Sequence, residues 1–543
     1  MTEDAGRNQS ESLVETAPVY SEKTSPDKAP QESFTIALRA KRDFANGITE
    51  CLTFNSMRAR VSRISASMDW KKQHQLAVLI AVSVVLFVVV VGIRVRAAQN
   101  DLWLDEIWSL DLVDQILSPG EVFSHIHSDN NHYLNSLWLY VCGFQGNWRG
   151  YRMLSILAGS GTVALAWLIG RRRNIVNAVT AMLLIGFSYV LILYSSEARG
   201  YSTLIFFSVL SYYLLDCYLR DRRWHVALLF SLSACLGLIS HLEFAIFFFS
   251  SFLWASYRLI KSGSGFKQAI GSLAVCYAIP TLLLALLYRI DIRYMVIAGG
   301  DQPGLFKCYA TSLAWALGMP PPFPTWLTFG IATLIFIVCL HQLWREKSDS
   351  IVFFGSVVVM MPILLAIAQG SEVLYVRYFI VSIAFFLLLM SFLLASLYTA
   401  LGSKGKMLCG FLLIGYVIAN GWHLMALFKF GRGNNGQAIR YLVQNSKEPR
   451  FTVGGDQDFR IGTVVDFYNR TEIGNYSLRY ITMKNWPANG VEWLICEKES
   501  YADPAPPGQV LTDTEGNHYE LAKIFPTAPL SGLHWFVYHN RAD

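Results

Sequence analysis

The chain has 543 residues, of which 53% are hydrophobic and 15% charged, with a mean hydropathy of +0.36. A soluble domain carries roughly 25% charged residues, so most of this chain is excluded from being a soluble globule. The formal net charge of +6 falls in short Lys and Arg clusters between apolar runs, a signal of membrane topology before it is one of partner binding.

Residues 1 to about 35 are polar, with few large apolar side chains, and cannot bury enough surface to offset ordering entropy. They predict a disordered stretch within a basic cytoplasmic tail over 1–72. The first apolar run starts near Leu76, after Arg58, Arg60, Arg63, Lys71 and Lys72, and predicts a start helix with its N-terminus inside and no cleavable signal. Runs long enough to cross about 30 Å of hydrocarbon lie near 76–94, 153–170, 175–193, 201–219, 225–241, 243–260, 268–288, 326–343, 351–369, 378–399 and 406–428, about eleven in all. Threading them alternately puts Arg171 to Arg173, then Arg220, Arg222 and Arg223, then Arg258, Lys261 and Lys267, then Arg345, Lys347, Lys404 and Lys406 on one side, as the positive-inside rule requires.

The other side then holds 95–152, the turn YSSEARGY, the His241 turn, 289–325, the turn QGSEVLYVRY and everything after about 429. His132–Phe144 is apolar but too short to span, which predicts an interfacial or re-entrant helix. The stretch 289–325, with Arg289, Arg293, Lys307 and a PPPFP run, reads either as a flexible loop over a site or as a structured connector. Beyond Phe430 the strand-like runs VEWLIC and HWFVYH and the helical QAIRYLVQ predict a small α/β domain over 429–543. The expected fold is a polytopic α-helical membrane protein with about eleven transmembrane helices over 73–428 and a soluble extracytoplasmic C-terminal domain. The nine cysteines, with no CxxC pair, read as small buried hydrophobes.

Candidate chemistry collects on that outer side. DLWLDEIWSLDLVD places Asp105 and Glu106 just beyond the first span, between Trp103 and Trp108. Two carboxylates there are either a general base or cation site at headgroup level, or ordinary solvated acids beside interfacial tryptophans. SSEARGY sets Glu197 and Arg199 in a turn with almost no loop, either as a headgroup-level pair or as functional groups. Arg377, preceded by Glu372, stands at the mouth of the tenth span. Its rigid fork matches phosphate oxygens, and snorkelling to lipid phosphates is the plainer alternative. His132, His241 and Glu243 also sit at outer ends. No P-loop, HExxH, GxSxG or Rossmann fingerprint occurs in a fitting context, and nothing points to nucleic acid.

Taken in order, NNHYLNSLW (Asn130–Trp138), YRMLSILAGSGTVALAWLIGRR (Tyr151–Arg172), YSSEARGYS (Tyr194–Ser202) and VRYFIVSIAF (Val376–Phe385), after the Asp105–Glu106 pair, resemble the GT-C superfamily of membrane glycosyltransferases. The resemblance is to the bacterial relatives of protein O-mannosyltransferases and lipid A aminoarabinose transferases. It covers roughly 76–428, and the family's prolines are absent from the first and last segments. It implies an inverting transfer of sugar from a polyprenyl-phosphate donor to an envelope glycan, lipid or protein acceptor, on the outer face of a bacterial inner membrane. It further implies Asp105 as base, with Glu106 and Glu197 orienting the acceptor. Arg377 and Arg199 would hold the donor phosphate, and His132, Tyr194, His241 and Tyr378 would contact substrate. A divalent metal at Asp105 and Glu197 is part of the same expectation. A transporter of lipid-linked saccharide would instead carry ionisable residues near the midplane, and a non-catalytic scaffold would keep the fold without the chemistry.

Overall fold

Eighteen helices and six strands are built from these runs in the computed structural model, which describes residues 70–541 apart from 145–147, 298, 300–303, 319–322, 371–373, 473–476 and 500–504. The expected tail up to residue 69, Glu372 and three prolines of the PPPFP run lie outside the described residues. In chain order the helices are α1 (Trp70–Ala97), α2 (Leu104–Asp114), α3 (Tyr133–Cys142), α4 (Trp148–Arg171), α5 (Ile175–Phe187), α6 (Tyr189–Tyr194), α7 (Tyr201–Asp221), α8 (Trp224–Ser240) and α9 (Phe244–Lys261). They continue as α10 (Phe266–Ile290), α11 (Leu305–Leu317), α12 (Thr325–Arg345), α13 (Ser350–Gly355), α14 (Met361–Gln369), α15 (Ile380–Ala400), α16 (Gly402–Phe430), α17 (Asn435–Asn445) and α18 (Asp458–Glu472).

All eleven apolar runs are helical, yet among the described residues only eight helices are long and apolar enough to cross a membrane. The shortfall from eleven has local causes. Helix α9 spends its last turn on Arg258 and Lys261, and α8 has 17 residues. The run expected at 175–193 is broken: α5 has 13 residues, about 20 Å at 1.5 Å per residue, and stops at Ser188, whose ψ of 120° leaves the helical region. A break inside an apolar bundle must have its backbone groups satisfied by side chains. Here Tyr416 Oη donates to the Leu184 carbonyl (2.9 Å), and buried Arg94 donates to those of Ile185 (3.3 Å) and Gly186 (3.1 Å). On the far side of the break, Tyr189 N–H donates to Asn420 Oδ1 (2.8 Å).

The interrupted span delivers the turn Ser195–Gly200 to one end of the bundle. Gly159 on α4 packs where a side chain would strike Ser195, and Gly200 packs against the Ser240 carbonyl and His132, leaving no room for a Cβ. The opposite end gathers the basic clusters. Arg172 (3.1 Å), Arg220 (2.9 Å) and Arg258 (3.1 Å) share Asp216, Arg173 pairs with Glu346 (3.1 Å), and Lys261 with Asp349. Arg172, Arg173, Arg220, Arg258 and Lys261, from three of the clusters that the threading assigned to one side, therefore share one end.

Short α3 follows the first loop, and α11 fills the middle of 289–325 with Cys308, Tyr309, Ser312 and Leu313 buried, so the described part of that stretch is a structured connector. The C-terminal strands are β1 (Arg450–Gly455), β2 (Ser477–Tyr480), β3 (Trp493–Glu499), β4 (Val510–Thr512), β5 (His518–Phe525) and β6 (Leu533–Asn540). They form one sheet in the order β2-β1-β3-β6-β5-β4, parallel around β1 and antiparallel from β3 onward. One face of this sheet, with α17 and α18, shares a core with the first loop: Val453, Ile461, Val465, Tyr468, Trp493 and Val537 pack in one cluster with Leu102, Ile107, Leu110 and Val113. The sheet therefore packs onto α2 through buried apolar surface, the main stabilising term for such contacts.

Arg94→Met keeps the apolar stem and removes the donors to Ile185 and Gly186. Leaving two buried carbonyls unpaired is expected to cost about 2 kcal/mol, visible as a lower melting temperature of the purified protein in detergent. An unchanged melting temperature would show that the break does not depend on Arg94.

Candidate active site

Asp105 and Glu106 open α2, and consecutive helical residues point about 100° apart, so the two acids cannot face the same way. Glu106 turns inward and is fully buried. Its Oε1 accepts from Arg152 Nε (2.8 Å) and Ala198 N (2.7 Å), and its Oε2 from Arg152 Nη2 (2.6 Å) and Trp103 N (3.3 Å). The other donors of Arg152 go to the carbonyls of Ala98 (2.8 Å), Asn100 (2.6 Å) and Asp101 (2.9 Å). All five guanidinium donors are thereby used. Glu106, expected to act beside Asp105, has its carboxylate engaged as a joint between the first loop, α4 and the Ser195–Gly200 turn.

Asp105 turns the other way. Its carboxylate contacts Arg199 Nη1 and lies 3.4 Å from Arg377 Nη1. Asn130 fixes the group from behind, donating to the Asp105 carbonyl (3.0 Å) and accepting from Arg199 Nη2 (2.6 Å). These residues line a cavity of about 350 Å³ at the end of the bundle opposite the basic clusters. His132, Tyr194, Tyr201, His241, Glu243 and Tyr378 line it too, as do Trp103 and Trp108. Met295, Ile297 and Gly299 form a flank, and Phe459, Arg460, Glu497, Glu499 and Trp535 of the C-terminal sheet and α18 contribute a roof.

Glu197, expected as a catalytic acid, is not in the cavity lining. It is fully buried, with its carboxylate 2.6 Å from the guanidinium of Arg432. Burial pushes its pKa up, against the pull of Arg432 and Arg199. The divalent-metal expectation is likewise unsupported by the donor set. Asp105 faces two guanidiniums and Glu197 a third, and among the described residues no three His, Cys, Asp or Glu side chains gather as metal ligands.

Sequence reasoning missed Arg152, Arg432 and Asn130. The signal for Arg152 was present: an arginine at the edge of the apolar run 153–170 is costly to bury unless paired. Arg432 was hidden in the glycine-rich GRGNNG, and is seated over Trp103 with 4.7 Å from guanidinium carbon to ring centre.

The histidines are neutral donors. Gly200 N donates to His132 Nδ1 (3.2 Å) and Glu243 N to His241 Nδ1 (3.1 Å), so each ring carries its proton on Nε2. Burial first, then Arg199, His241 and Arg377, holds His132 well below the usual imidazole range. Burial with Arg199 and Arg377 lowers His241 to about 3. Burial also pushes Glu243 up to about 8, and Glu497 up to about 7 against the opposing pull of its partner Arg460 at 2.9 Å.

No family model matches this chain, and no curated protein matches it. Among solved structures, the chain is similar to ArnT from Cupriavidus metallidurans in the apo state, with a TM-score of 0.48, 11% identity, and coverage of 86% of this chain and 98% of that one. It is also similar to the same protein bound to undecaprenyl phosphate, with a TM-score of 0.46, 11% identity, and coverage of 87% and 98%.

The two adjacent acids are expected to respond differently to mutation. Glu106→Gln and Arg152→Met should each cost about 3–5 kcal/mol by stranding a buried partner, with the double variant costing clearly less than the sum. Asp105→Asn should cost less, because its carboxylate borders the cavity and is partly exposed. Additive losses in the thermal-denaturation cycle would contradict the assigned joint.

Proposed function

We propose that the chain is a membrane glycosyltransferase that moves a sugar from a polyprenyl-phosphate donor to an acceptor hydroxyl at the extracytoplasmic face. The observation that carries this reading is the convergence of Arg199 and Arg377, from separate turns, on one end of a cavity set at the end of an apolar bundle. Arg199 is 3% and Arg377 18% exposed, and the Nε of each has no hydrogen-bond partner among the described residues. Buried guanidinium donors left over beside a lipid-accessible bundle suit a phosphate ester whose tail stays in the bilayer.

The same geometry supports a sequence of events. As donor phosphate engages Arg199 and Arg377, it competes with Asp105 for them and releases that carboxylate toward the cavity. Asp105 then takes the proton of the acceptor hydroxyl while the acceptor oxygen bonds to the anomeric carbon. The bond from that carbon to the phosphate oxygen breaks, and its electron pair leaves with the polyprenyl phosphate. A base and a leaving group on opposite faces of the sugar invert the anomeric centre. The phosphate departs already weakly basic, so the arginines stabilise it electrostatically and no general acid is needed. In this reading the basic end faces the cytoplasm and the C-terminal sheet lies outside, roofing the cavity over the acceptor.

Transfer of radiolabelled sugar from polyprenyl-phosphate donors to membrane acceptors tests the proposal. Asp105→Asn is expected to lower transfer by at least about 10²-fold, the scale of a lost general base. Arg377→Ala is expected to raise the donor KM as well as lower kcat. Full transfer by Asp105→Asn at matched expression would remove Asp105 as the base.

A further inference from the structure

Beside the arginine pair, the cavity has a second wall of different character. His132, His241 and Tyr201 cluster there, with ring centres 4.6 Å apart for His132–His241, 4.6 Å for Tyr201–His241 and 5.3 Å for the edge-on His132–Tyr201 pair. Glu243 opens α9 next to them, and its own backbone N–H holds the His241 ring. The two backbone hydrogen bonds to Nδ1 leave each imidazole its Nε2–H. His132 is 4% exposed, and its Nε2 has no hydrogen-bond partner among the described residues. A buried donor without a partner costs free energy unless a ligand supplies the acceptor.

We propose that His132, His241 and Glu243 form the wall on which the transferred sugar rests, and that this sugar is uncharged. The inference rests on the polyprenyl-phosphate reading of the neighbouring arginines. Two Nε2–H groups and the Glu243 carboxyl offer hydrogen bonds to ring hydroxyls, backed by the buried ring of Tyr201. The electrostatics select against charge. An ammonium on the sugar would be repelled by Arg199, whose guanidinium carbon lies 5.2 Å from the Tyr201 ring centre on this wall, and by Arg377 beside it. A carboxylate on the sugar would repel the donor phosphate held by the same two arginines. A polyol meets neither penalty, and its hydroxyls satisfy donors that are otherwise left over.

The test compares binding of bare polyprenyl phosphate with binding of polyprenyl phosphates bearing a neutral hexose, an amino sugar or a hexuronic acid. It uses the full-length protein and its His132→Asn, His241→Asn and Glu243→Gln variants. Asparagine keeps an acceptor near the Nδ1 position for the Gly200 or Glu243 amide and deletes the Nε2–H, so the fold is retained while the donor to sugar is lost. The unaltered protein is expected to bind the neutral-hexose donor more tightly than the bare phosphate and than either charged-sugar donor. Each histidine variant should lose about tenfold in affinity for the hexose donor, the scale of one buried hydrogen bond, with bare polyprenyl phosphate binding unchanged. Glu243→Gln, which keeps a neutral donor, should stay within about threefold. Equal loss for sugar-bearing and bare ligands, or no loss for either, would overturn the sugar wall while leaving the phosphate reading intact. Preference for a charged sugar would overturn the claim of neutrality. Failure of the unaltered protein to bind bare polyprenyl phosphate would overturn the arginine reading, and the wall with it.

Discussion

The ion pair of Glu106 with Arg152 is the constraint on which the site depends. Two charges removed from water are costly, and such a pair survives only when every remaining donor and lone pair is used. Here Glu106 accepts four hydrogen bonds and Arg152 donates five, tying residues 98–106 to α4 and to the amide of Ala198. Those contacts fix the start of α2, and with it the direction of the next residue back. Asp105 faces the cavity because Glu106 is anchored in the core. The same lock on Ala198 places Arg199 one residue on, where its guanidinium meets Asp105. A buried pair with no direct access to the cavity thus sets the relative position of Asp105 and Arg199, contributed by separate parts of the chain.

The second dependence runs through the C-terminal sheet. Its core is continuous with that of the first loop, Tyr468 Oη donates to the Leu102 carbonyl (3.0 Å), and Gly436 N donates to Asp101 (2.9 Å). Arg432, at the junction between α16 and α17, lies against Glu197 behind the cavity wall. The domain that roofs the cavity therefore also neutralises a carboxylate buried in the bundle. The cavity then divides into an arginine end centred on Asp105 and a wall of imidazoles and tyrosine.

Much of the architecture was legible because it depends on long apolar runs, charge clusters and alternating strand patterns. Each of the eleven runs is helical, VEWLIC and HWFVYH are adjacent strands β3 and β6, and the short apolar segment after His132 is the ten-residue α3. The break at Ser188 was not legible, because Tyr189–Leu193 is as apolar as what precedes it. It exists only because Arg94, Tyr416 and Asn420, remote in sequence, satisfy the opened backbone. The site was half legible. Ionisable residues at span ends led to Asp105, Arg199, Arg377, His132 and His241, which line one cavity. Motif reading could not separate Asp105 from Glu106, or Arg199 from Glu197, since neighbours in sequence face opposite ways in a turn. Helical periodicity turns the first two about 100° apart, and Arg152 near the start of α4 was the available partner for an inward-facing acid.

The measurement that tests the central claim most directly is a structure of the protein determined with undecaprenyl phosphate. The account predicts phosphate oxygens within hydrogen-bonding distance of both Arg199 and Arg377, with the Asp105 carboxylate released from at least one of them and the Glu106–Arg152 pair unmoved. Phosphate bound elsewhere, with Asp105 still held between the two arginines, would contradict it.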